Sequence, residues 1–372
     1  MTDRQAYVAF NLIERVGPAT LGELVARAGS VVAAWESYPK KIARAGGEVD
    51  WEGEFAKAER FGVTILTPAD ADYPRRLKDA PGAPLALYVK GDVKALAKPM
   101  IALIGTRRAT SYGLDIAHRF AKDLCRAGWG VVSGLALGID GAAHDGALRA
   151  GGVTVGVLGS GMDRFYPEEN RELARQMVKK GGAVVSQFPF GRPPDQETFP
   201  IRNHVVATLA QGVVAVEAPA RSGTLITTGI AADLGRTVMA VPARIDSRMS
   251  SGCLHLIREG AILVRDVDDI LEAMSELLPG RGLETGDTGR GDSASSSVSR
   301  LKSPADPETP PYSVEEAMVM LHVDEDGVAI DELVRKTKLP VAKVNALTMS
   351  LRIKGFVRFL PGNRISLLTT EH

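Results

Sequence analysis

The middle of the chain alternates short apolar runs with longer stretches in which apolar residues recur at helical spacing. Several of the runs end in a loop of small residues that contains glycine with serine or threonine. Such an alternation predicts βαβ units in a parallel sheet. The main strands are predicted at Met100–Ile104, Gly130–Ser133, Val153–Leu158, Ala183–Ser186, Val213–Glu217, Val238–Val241 and Ile262–Val264, after a lead-in strand at Val63–Leu66 and a flanking segment at Pro84–Gly91.

The predicted strands contain few polar positions, and this indicates how they pack. Nearly continuous apolar strands are typical of a sheet that is covered on both faces. The segments between them have apolar positions at helical spacing, for example Leu114, Ala117, Phe120, Ala121 and Leu124. We therefore predict a doubly wound α/β sheet over residues 61–279.

Residues 1–60 are predicted to form a helical domain. Two apolar stripes flank the turn Val16–Thr20, where Thr20 is placed to cap a helix and Glu23 follows three residues later. A hydrophobic–glycine turn between helices is typical of a helix-hairpin-helix module, which binds a DNA phosphate, and also of an ordinary helix–helix turn. Pro18 removes one backbone N–H from this turn, which favours the ordinary turn.

Two further segments follow the predicted sheet. Residues 280–311 are dominated by Gly, Ser, Pro, Asp and Thr, so they bury too little apolar surface to offset the entropy of ordering and are predicted to be a flexible linker. Residues 312–372 have the pattern of a winged-helix domain, which consists of three helices and a β-hairpin. Its predicted elements are helices Val314–Leu321, Ile330–Thr337 and Pro340–Lys354, the last with Val341, Val344, Leu347 and Leu351 on one face, and strands Phe356–Leu360 and Arg364–Leu368.

The charges of this last domain are divided along its length. The charged residues from Glu315 to Glu332 are all acidic, and those from Arg335 to Arg364 are all basic. A basic third helix and wing suit the reading of duplex DNA. The basic residues are sparse, however, so a domain that docks proteins or is purely structural remains an equal alternative.

Composition excludes several classes of function. The 372 residues include 45 Lys and Arg and 45 Asp and Glu, so a nucleic-acid site must come from local clustering of charge. Cys125 and Cys253 lack the spacing of metal ligands and are expected to be buried free thiols. No apolar run reaches the roughly 18 residues that span a bilayer, and the N-terminus lacks the pattern of a signal peptide. A cytoplasmic protein without a membrane partner is expected.

The loops after the predicted strands carry the candidate chemistry. Glycine lets the backbone turn sharply and approach a ligand closely, and arginine donates charge-assisted hydrogen bonds to phosphate. The first loop matches neither the dinucleotide GxGxxG pattern nor the Walker pattern, which argues against hydride transfer and ATP hydrolysis. Phosphate or nucleic-acid contacts are predicted at Gly105, Thr106, Arg107 and Arg108; at Ser133 and Gly134; at Ser160, Gly161 and Arg164; at Arg202 and Asn203, before a helix Val205–Ala210; and at Arg221, Ser222 and Gly223.

Asp140 and His144 follow the second of these loops and would share a helix face. They could form an acid–base pair. The alternative, which we favour, is that Asp140 caps the helix and that His144 makes a local hydrogen bond.

Arginines recur at these strand ends, where Arg107, Arg108, Arg164, Arg202, Arg221 and Arg244 form a predicted basic rim. One or two arginines suffice for a small substrate, so the rim suits a linear polyanion. The chain has no evident set of nucleophile, base and orienting group, and no metal-ligand cluster. Neither a catalytic residue nor a metal is expected.

The motifs IALIGTRRATSYG, SGLALGIDGAAH, VLGSGMDRFYPEEN, FPIRNH and EAPARSGTLIT, in this order, closely resemble the DprA/Smf (DNA-processing protein A) family over residues 60–265. The resemblance implies a Rossmann-like core, flanked by a helical SAM-like domain and a winged-helix domain. It implies a homodimer that binds and protects single-stranded DNA and loads the RecA recombinase during natural transformation. It implies no enzymatic activity and no cofactor.

Carried over by position, the resemblance makes Arg107 the leading DNA contact and assigns a further basic contact to Arg171. The chain also departs from the family pattern. It has Gln187 after Ser186 where the family often has glutamate, His204 after Arg202-Asn203 where it has arginine, and Ala243 after Pro242 where it has glycine. Loss of a fixed charge at His204 is expected to weaken or redirect the DNA path there.

A second hypothesis is a nucleotide-processing enzyme with a related Rossmann-like sheet, of the nucleoside monophosphate phosphoribohydrolase type. Such enzymes have a PGGxGT-type phosphate loop with a neighbouring glutamate. The nearest match is Arg221–Thr224 after Glu217, which lacks the paired glycines. A third possibility is that the winged-helix domain reads duplex DNA independently.

Overall fold

The computed structural model describes residues 1–14, 16–38, 49–220 and 222–275, together with parts of the segment 319–367. The chain divides into two compact units, Met1–Glu284 and Thr285–His372. The predicted linker, 280–311, lies outside the described residues. None of the described helices is both long and apolar enough to cross a membrane.

The first unit begins with four helices: α1 Asp3–Asn11, α2 Pro18–Ala28, α3 Val31–Ser37 and α4 Trp51–Phe61. Thr2 and Gln5 form a capping box that starts α1. The expectation that Thr20 caps α2 is wrong, because α2 begins at Pro18 after Gly17 and has no side-chain cap. Proline suits the first turn of a helix, where its missing N–H would have no partner.

Nine strands form one sheet in the first unit. The predicted main strands all occur, with ends displaced by a residue or two, and the flanking segment contributes a strand of its own. The strands are β1 Thr64–Leu66, β2 Leu87–Gly91, β3 Met100–Ile104, β4 Gly130–Ser133, β5 Thr154–Val157, β6 Ala183–Ser186, β7 Gly212–Ala215, β8 Thr237–Ala240 and β9 Ile262–Leu263.

The strand order is β1-β2-β6-β5-β4-β3-β7-β8-β9. All pairs from β6 to β9 are parallel, whereas β1 and β2 add antiparallel strands at one edge, so the sheet is mixed and mostly parallel. The chain proceeds from β3 outward to β4, β5 and β6, and then returns to place β7 on the other side of β3. A crevice for a ligand forms at such a reversal, beyond the carboxyl ends of the strands.

The helices of this unit cover the two faces of the sheet. Alternate residues of β3 point to opposite sides. Met100 and Ala102 pack with the helices Thr198–Leu209 and Gly223–Asp233. Ile101 and Leu103 pack with the helices Ser111–Arg126, Ile139–Arg149 and Val267–Ser275. This explains why the strands are apolar throughout. The helices are α5 Arg75–Lys78, α6 Ser111–Arg126, α7 Ile139–Arg149, α8 Arg171–Lys179, α9 Thr198–Leu209, α10 Gly223–Asp233, α11 Ser251–Arg258 and α12 Val267–Ser275, with 3₁₀ turns at Val93–Ala97 and Glu168–Asn170.

Two details of the helices differ from the sequence analysis. Helix α9 begins at Thr198, not at Val205, because Pro200 occupies its first turn rather than interrupting it. Leu114 of α6 is exposed, and the buried face of that helix begins with Ile116.

Both cysteines are free thiols, as predicted. Cys253 is buried and Cys125 is half-buried. Burial raises the pKa of Cys125 to about 11 and that of Cys253 to about 12, so neither is a reactive thiolate at neutral pH.

In the second unit, α13 Ile330–Thr337 occurs where the sequence predicts it. The strands β11 Val357–Leu360 and β12 Arg364–Leu367 pair as the predicted hairpin, and a short strand, β10 Val328–Ala329, adds a third strand that the sequence analysis missed. Val344 and Leu351 are buried and Leu347 packs against them, but Val341 is 53% exposed and lies off this apolar face.

Candidate nucleic-acid interface

A cavity of about 350 Å³ lies at the carboxyl ends of β3, β4 and β7, where the order of the strands reverses. Loops from three strands and the first turns of α9 and α10 surround it. Nine of the predicted contact residues line it: Gly105, Thr106, Arg107, Arg108, Gly134, Arg202, Asn203, Ser222 and Gly223. The topology therefore brings together residues that are distant along the chain.

The loop after β3 is held by Glu217, which follows β7. The Glu217 carboxylate accepts hydrogen bonds from Thr110 N at 2.9 Å and from Thr110 Oγ1 at 2.6 Å. Thr110 in turn caps α6 by accepting from Gly113 N. Thr106 N donates to Glu217 O at 2.7 Å. These bonds fix the backbone on both sides of Arg107 and Arg108, whose side chains remain exposed.

The loop after β4 requires unusual backbone geometry. Gly138 has φ +76°, and Leu135 also has a positive φ, of 57°, although it is fully buried. Asn170 stabilises this conformation, since its Nδ2 donates to the carbonyl oxygens of Leu135 and Ala136, both at 2.9 Å. Strained backbone of this kind persists where the surroundings hold it, often at binding sites.

Arg202 forms the buried floor of the cavity. It is 4% exposed, and its Nη1 donates to Val157 O at 2.9 Å. Burial lowers its pKa to about 10. The charge of Asp140 raises the pKa and the charge of Arg107 lowers it, and the side chain remains cationic at neutral pH. A Cβ on Gly134 would overlap the Arg202 guanidinium, which explains the glycine there.

The charge of Asp140 raises the pKa of the nearby Arg202, but the two side chains form no ion pair within 4.0 Å. The Oδ2 of Asp140 accepts hydrogen bonds from Gly134 N at 3.1 Å and from Ala136 N at 3.3 Å. Burial raises the pKa of Asp140, while Arg202 and these hydrogen bonds lower it. The expectation that Asp140 caps α7 is wrong, because the N-cap is Gly138 and has no side-chain cap.

His144 does not form an acid–base pair with Asp140. Its Nδ1 lies 2.7 Å from the Oγ1 of Thr154 in β5, so the buried ring packs against that strand. Burial, together with the charge of Arg202, lowers the pKa of His144 to about 3. This histidine is therefore a neutral core residue at physiological pH.

Arg107 and Phe199 form the exposed wall of the cavity. The Arg107 Cζ lies 4.5 Å from the centroid of the Phe199 ring, a distance typical of a cation–π contact. This contact holds the guanidinium while leaving its N–H groups available to a ligand. An exposed cation at the entrance and a buried cation at the floor both attract anions into the cavity.

The N-terminus of α10 forms the third side. Ser222 is its N-cap and accepts from Thr224 N at 3.0 Å. Gly223 is exposed at the first turn, and a Cβ placed on it would contact nothing. Free backbone N–H groups and the positive end of the helix dipole favour a phosphate here.

The remaining predicted contacts lie elsewhere. Ser133 is buried beneath the cavity and donates to Leu103 O. Ser160 is buried and donates to Arg164 O, and the backbone N–H of Gly161 donates to Arg192 O. Arg221 lies outside the described residues.

Acidic neighbours reduce the predicted basic rim. Arg171 forms two hydrogen bonds of 2.6 Å with Glu168, and Arg244 pairs in the same way with Asp246. The Nε of Arg164 lies 3.9 Å from Asp163. Among the described members of the rim, only Arg107, Arg108 and Arg202 line the cavity.

Two residues of the site had no role in the sequence analysis, and a third, Glu217, had a role there only in the enzyme hypothesis. Phe199 orients Arg107, Asn170 braces the loop after β4, and Glu217 braces the loop after β3. Each lies in one of the motifs quoted above, which was the signal available for finding it. No group of three or more metal-ligating side chains occurs within the described parts of the chain.

Comparison with known proteins identifies two family models and a relative that the chain matches. A family model described as DNA recombination-mediator protein A matches residues 64–275, and a model described as the DprA winged helix domain matches residues 303–363. The protein Smf of Synechocystis sp. is 33% identical over 394 residues, covering 97% of this chain and 98% of that protein.

Two solved structures are also similar. The X-ray structure of DNA processing protein A from Streptococcus pneumoniae matches with a TM-score of 0.61 and 30% identity, covering 73% of this chain and 98% of that one. A structure that concerns the single-stranded DNA binding mode of DNA processing protein A from Helicobacter pylori matches with a TM-score of 0.52 and 26% identity, covering 57% of this chain and 96% of that one.

Proposed function

Because this chain belongs to the DNA recombination-mediator protein A family, we propose that it binds single-stranded DNA at the carboxyl edge of its sheet. The convergence of Arg107, Arg202 and the N-terminus of α10 on one cavity carries this proposal. All three are donors to phosphate, and the cavity is open to a strand that passes along the edge.

The contacts have different roles in this proposal. Arg107, Arg108 and Asn203 donate to the strand from their side chains, and Ser222 and Gly223 from the start of α10. Gly105, Thr106 and Gly134 permit close approach, with Ser133 as support beneath them. Ser160, Gly161, Arg164 and Arg171 extend the path beyond the cavity, and Arg221, which lies outside the described residues, is a further proposed contact.

A salt-titrated fluorescence anisotropy assay with a labelled single-stranded oligonucleotide tests the site. Arg107→Ala is expected to weaken binding by at least about tenfold, since charged hydrogen bonds contribute roughly 1.5–3 kcal/mol each. The matched control is Arg126→Ala, an exposed arginine at the far end of α6, and it should bind as the wild type does. Equal affinities of the two variants would place the site elsewhere.

Salt dependence provides a second measurement in the same assay. Affinity should fall steeply as salt rises, because the contacts are mainly to phosphate. The slope should be shallower for Arg107→Ala than for the wild type. An affinity that does not respond to salt would exclude a phosphate-based interface.

We further propose that the chain is a cytoplasmic homodimer without enzymatic activity, which protects the strand and loads RecA on it in natural transformation. The outer strand β9 supports a dimer, because Ile262 and Leu263 are 42% and 43% exposed at the edge of the sheet. Light scattering tests the dimer. Strand exchange by RecA on protein-coated single strands, with and without this chain, tests the loading.

The carboxylates near the cavity argue against the nucleotide-processing enzyme. Both oxygens of Glu217 are occupied by Thr110, and Asp140 is buried and accepts hydrogen bonds from Gly134 N and Ala136 N. Neither carboxylate is available to act as a general base. Release of free base from nucleoside monophosphates by the purified chain would overturn this part of the proposal.

A further inference from the structure

A second cavity, of about 840 Å³, opens at the amino ends of the strands of the same sheet, which form its amino edge, opposite the carboxyl ends where the first cavity lies. It lies where the chain enters β3, β7 and β8, which are neighbouring strands. Helix α5, the 3₁₀ turn Val93–Ala97 and the last turns of α9 and α10 form its walls. It shares no lining residue with the cavity at the carboxyl edge.

Two half-buried guanidinium groups line this cavity without a carboxylate partner. The Nε of Arg236 is buried and makes no hydrogen bond, and the side chain forms no ion pair with a described residue. Arg76 makes one long hydrogen bond, from Nη1 to Lys98 O at 3.4 Å. A buried cation without a partner is costly unless a ligand compensates it.

The two cations lie close enough to affect each other. Burial lowers the pKa of Arg76, and the charge of Arg236 lowers it further. The carboxylates of Asp72 and Asp233 also line the cavity, yet neither lies within 4.0 Å of a guanidinium nitrogen. Asp79 pairs instead with Arg75, at 3.2 Å.

We propose that this cavity binds a phosphate group, held between the guanidinium groups of Arg76 and Arg236 beside the exposed Lys94. A phosphate presents several acceptor oxygens, and guanidinium donors match them in pairs. One dianion between two arginines replaces their mutual repulsion with two charge-assisted contacts. The phosphate belongs either to a nucleic-acid backbone or to a free phosphate compound, and the two sources are distinguished by experiment.

Modification of arginine by phenylglyoxal, mapped by mass spectrometry, tests the site residue by residue. The full chain is used with the Arg107→Ala substitution, which weakens the interface at the carboxyl edge. Rates are measured in chloride, in inorganic phosphate and in a single-stranded oligonucleotide, at matched ionic strength. Arg126 serves as the internal reference, because it is exposed and lines neither cavity.

Inorganic phosphate is expected to slow the modification of Arg76 and Arg236 several-fold relative to Arg126. Protection by the oligonucleotide alone would identify a nucleic-acid backbone as the source of the phosphate. Equal rates for Arg76 in all three solutions would overturn the proposal. In the additional variant Arg236→Gln, Arg76 should lose its protection, and protection that persists would show that the two arginines do not share an anion.

Discussion

The two edges of the central sheet both contain arginines that point into a cavity, but they support them differently. At the carboxyl edge, Arg202 is buried, donates to Val157 O and lies in the field of the Asp140 charge, within a frame of braced loops. At the amino edge, Arg76 and Arg236 are half-buried beside each other and have no acidic partner among the described residues. The first edge is preorganised, whereas the charge of the second is uncompensated.

This difference distinguishes arginines that stabilise the fold from arginines whose charge is available to a ligand. A buried arginine that donates a hydrogen bond within the protein and lies near an opposite charge contributes to the stability of the fold as well as to the field of the cavity. An arginine that faces a cavity without a partner contributes to stability only when a ligand is present. Substitutions at the two edges should therefore change stability by very different amounts.

The largest loss of stability is expected for Arg202→Gln. It removes the donor to Val157 O and the cation whose charge stabilises the buried Asp140 carboxylate, and loss of a buried charge partner costs up to roughly 3–5 kcal/mol. Urea denaturation followed by circular dichroism measures the free energy of unfolding. Arg126→Ala is the surface control and should change it by less than about 0.5 kcal/mol. A loss for Arg202→Gln as small as for the control would show that Asp140 is not charged in the folded protein.

A loss of roughly 1–3 kcal/mol is expected for Gly134→Ala, because overpacking of a close-packed site costs about that much. Its Cβ would lie 2.7 Å from Asp140 Oδ2 and would overlap the Arg202 guanidinium. The matched control is Gly229→Ala, within α10, where a Cβ meets nothing. That variant should gain roughly 0.5–1 kcal/mol from helix propensity. A gain in both variants would contradict the proposed contact.

Acid should destabilise the first unit through His144. The pKa of this histidine is about 3 in the folded chain and ordinarily 6.5, so below pH 6.5 the unfolded chain takes up a proton that the folded chain does not. Stability therefore falls as the pH falls from 6.5 toward 3. The loss between pH 6.5 and 4.5 should reach roughly 2–3 kcal/mol.

The comparison of two variants isolates that contribution. His144→Gln should be less stable at pH 7 but should lose less stability on acidification, since it has no imidazole to protonate. His255→Gln, which replaces an exposed histidine, should keep the slope of the wild type. Identical slopes for all three proteins would assign the acid sensitivity to other groups.

A smaller effect, on DNA binding only, is expected for Phe199→Leu. The ring holds Arg107 by a cation–π contact, which contributes about 0.5–1 kcal/mol at an exposed site. Affinity for single-stranded DNA should fall by roughly two- to fivefold. Ile201→Leu, on the same helix and 49% exposed, is the control and should bind as the wild type does. An unchanged affinity for Phe199→Leu would show that the ring does not position Arg107.

The strands could be predicted from the sequence because a sheet covered on both faces requires runs such as Met100–Ile104 to be apolar at every position. The start of α9 could not, since Pro200 reads as a break in the pattern although a first helical turn tolerates it. The antiparallel direction of β2 could not be predicted from the sequence either. It depends on pairing with β6, which is remote in the sequence.

At the candidate site, the sequence identified the glycines and arginines of each loop but not which arginines are compensated. Arg107 and Arg171 look alike in the sequence, yet one contacts Phe199 at the cavity and the other pairs with Glu168. The electrostatic interaction between Arg202 of α9 and Asp140 of α7 arises only from the fold. Local patterns predict which residues are charged, whereas tertiary contacts decide which charges remain for a ligand.

The smallest expected effect on stability, and the sharpest test of the contrast between the edges, is that of Arg236→Gln. In phosphate-free buffer this variant removes a cation that has no partner and that repels Arg76, so the free energy of unfolding should stay within about 0.5 kcal/mol of the wild type. In the Arg107→Ala background, which weakens the cavity at the carboxyl edge, inorganic phosphate should raise the melting temperature more than it does when Arg236→Gln is added, because only a folded site binds the anion. A loss in phosphate-free buffer comparable with that of Arg202→Gln would show that the amino edge is built like the carboxyl edge, with stabilising contacts of its own.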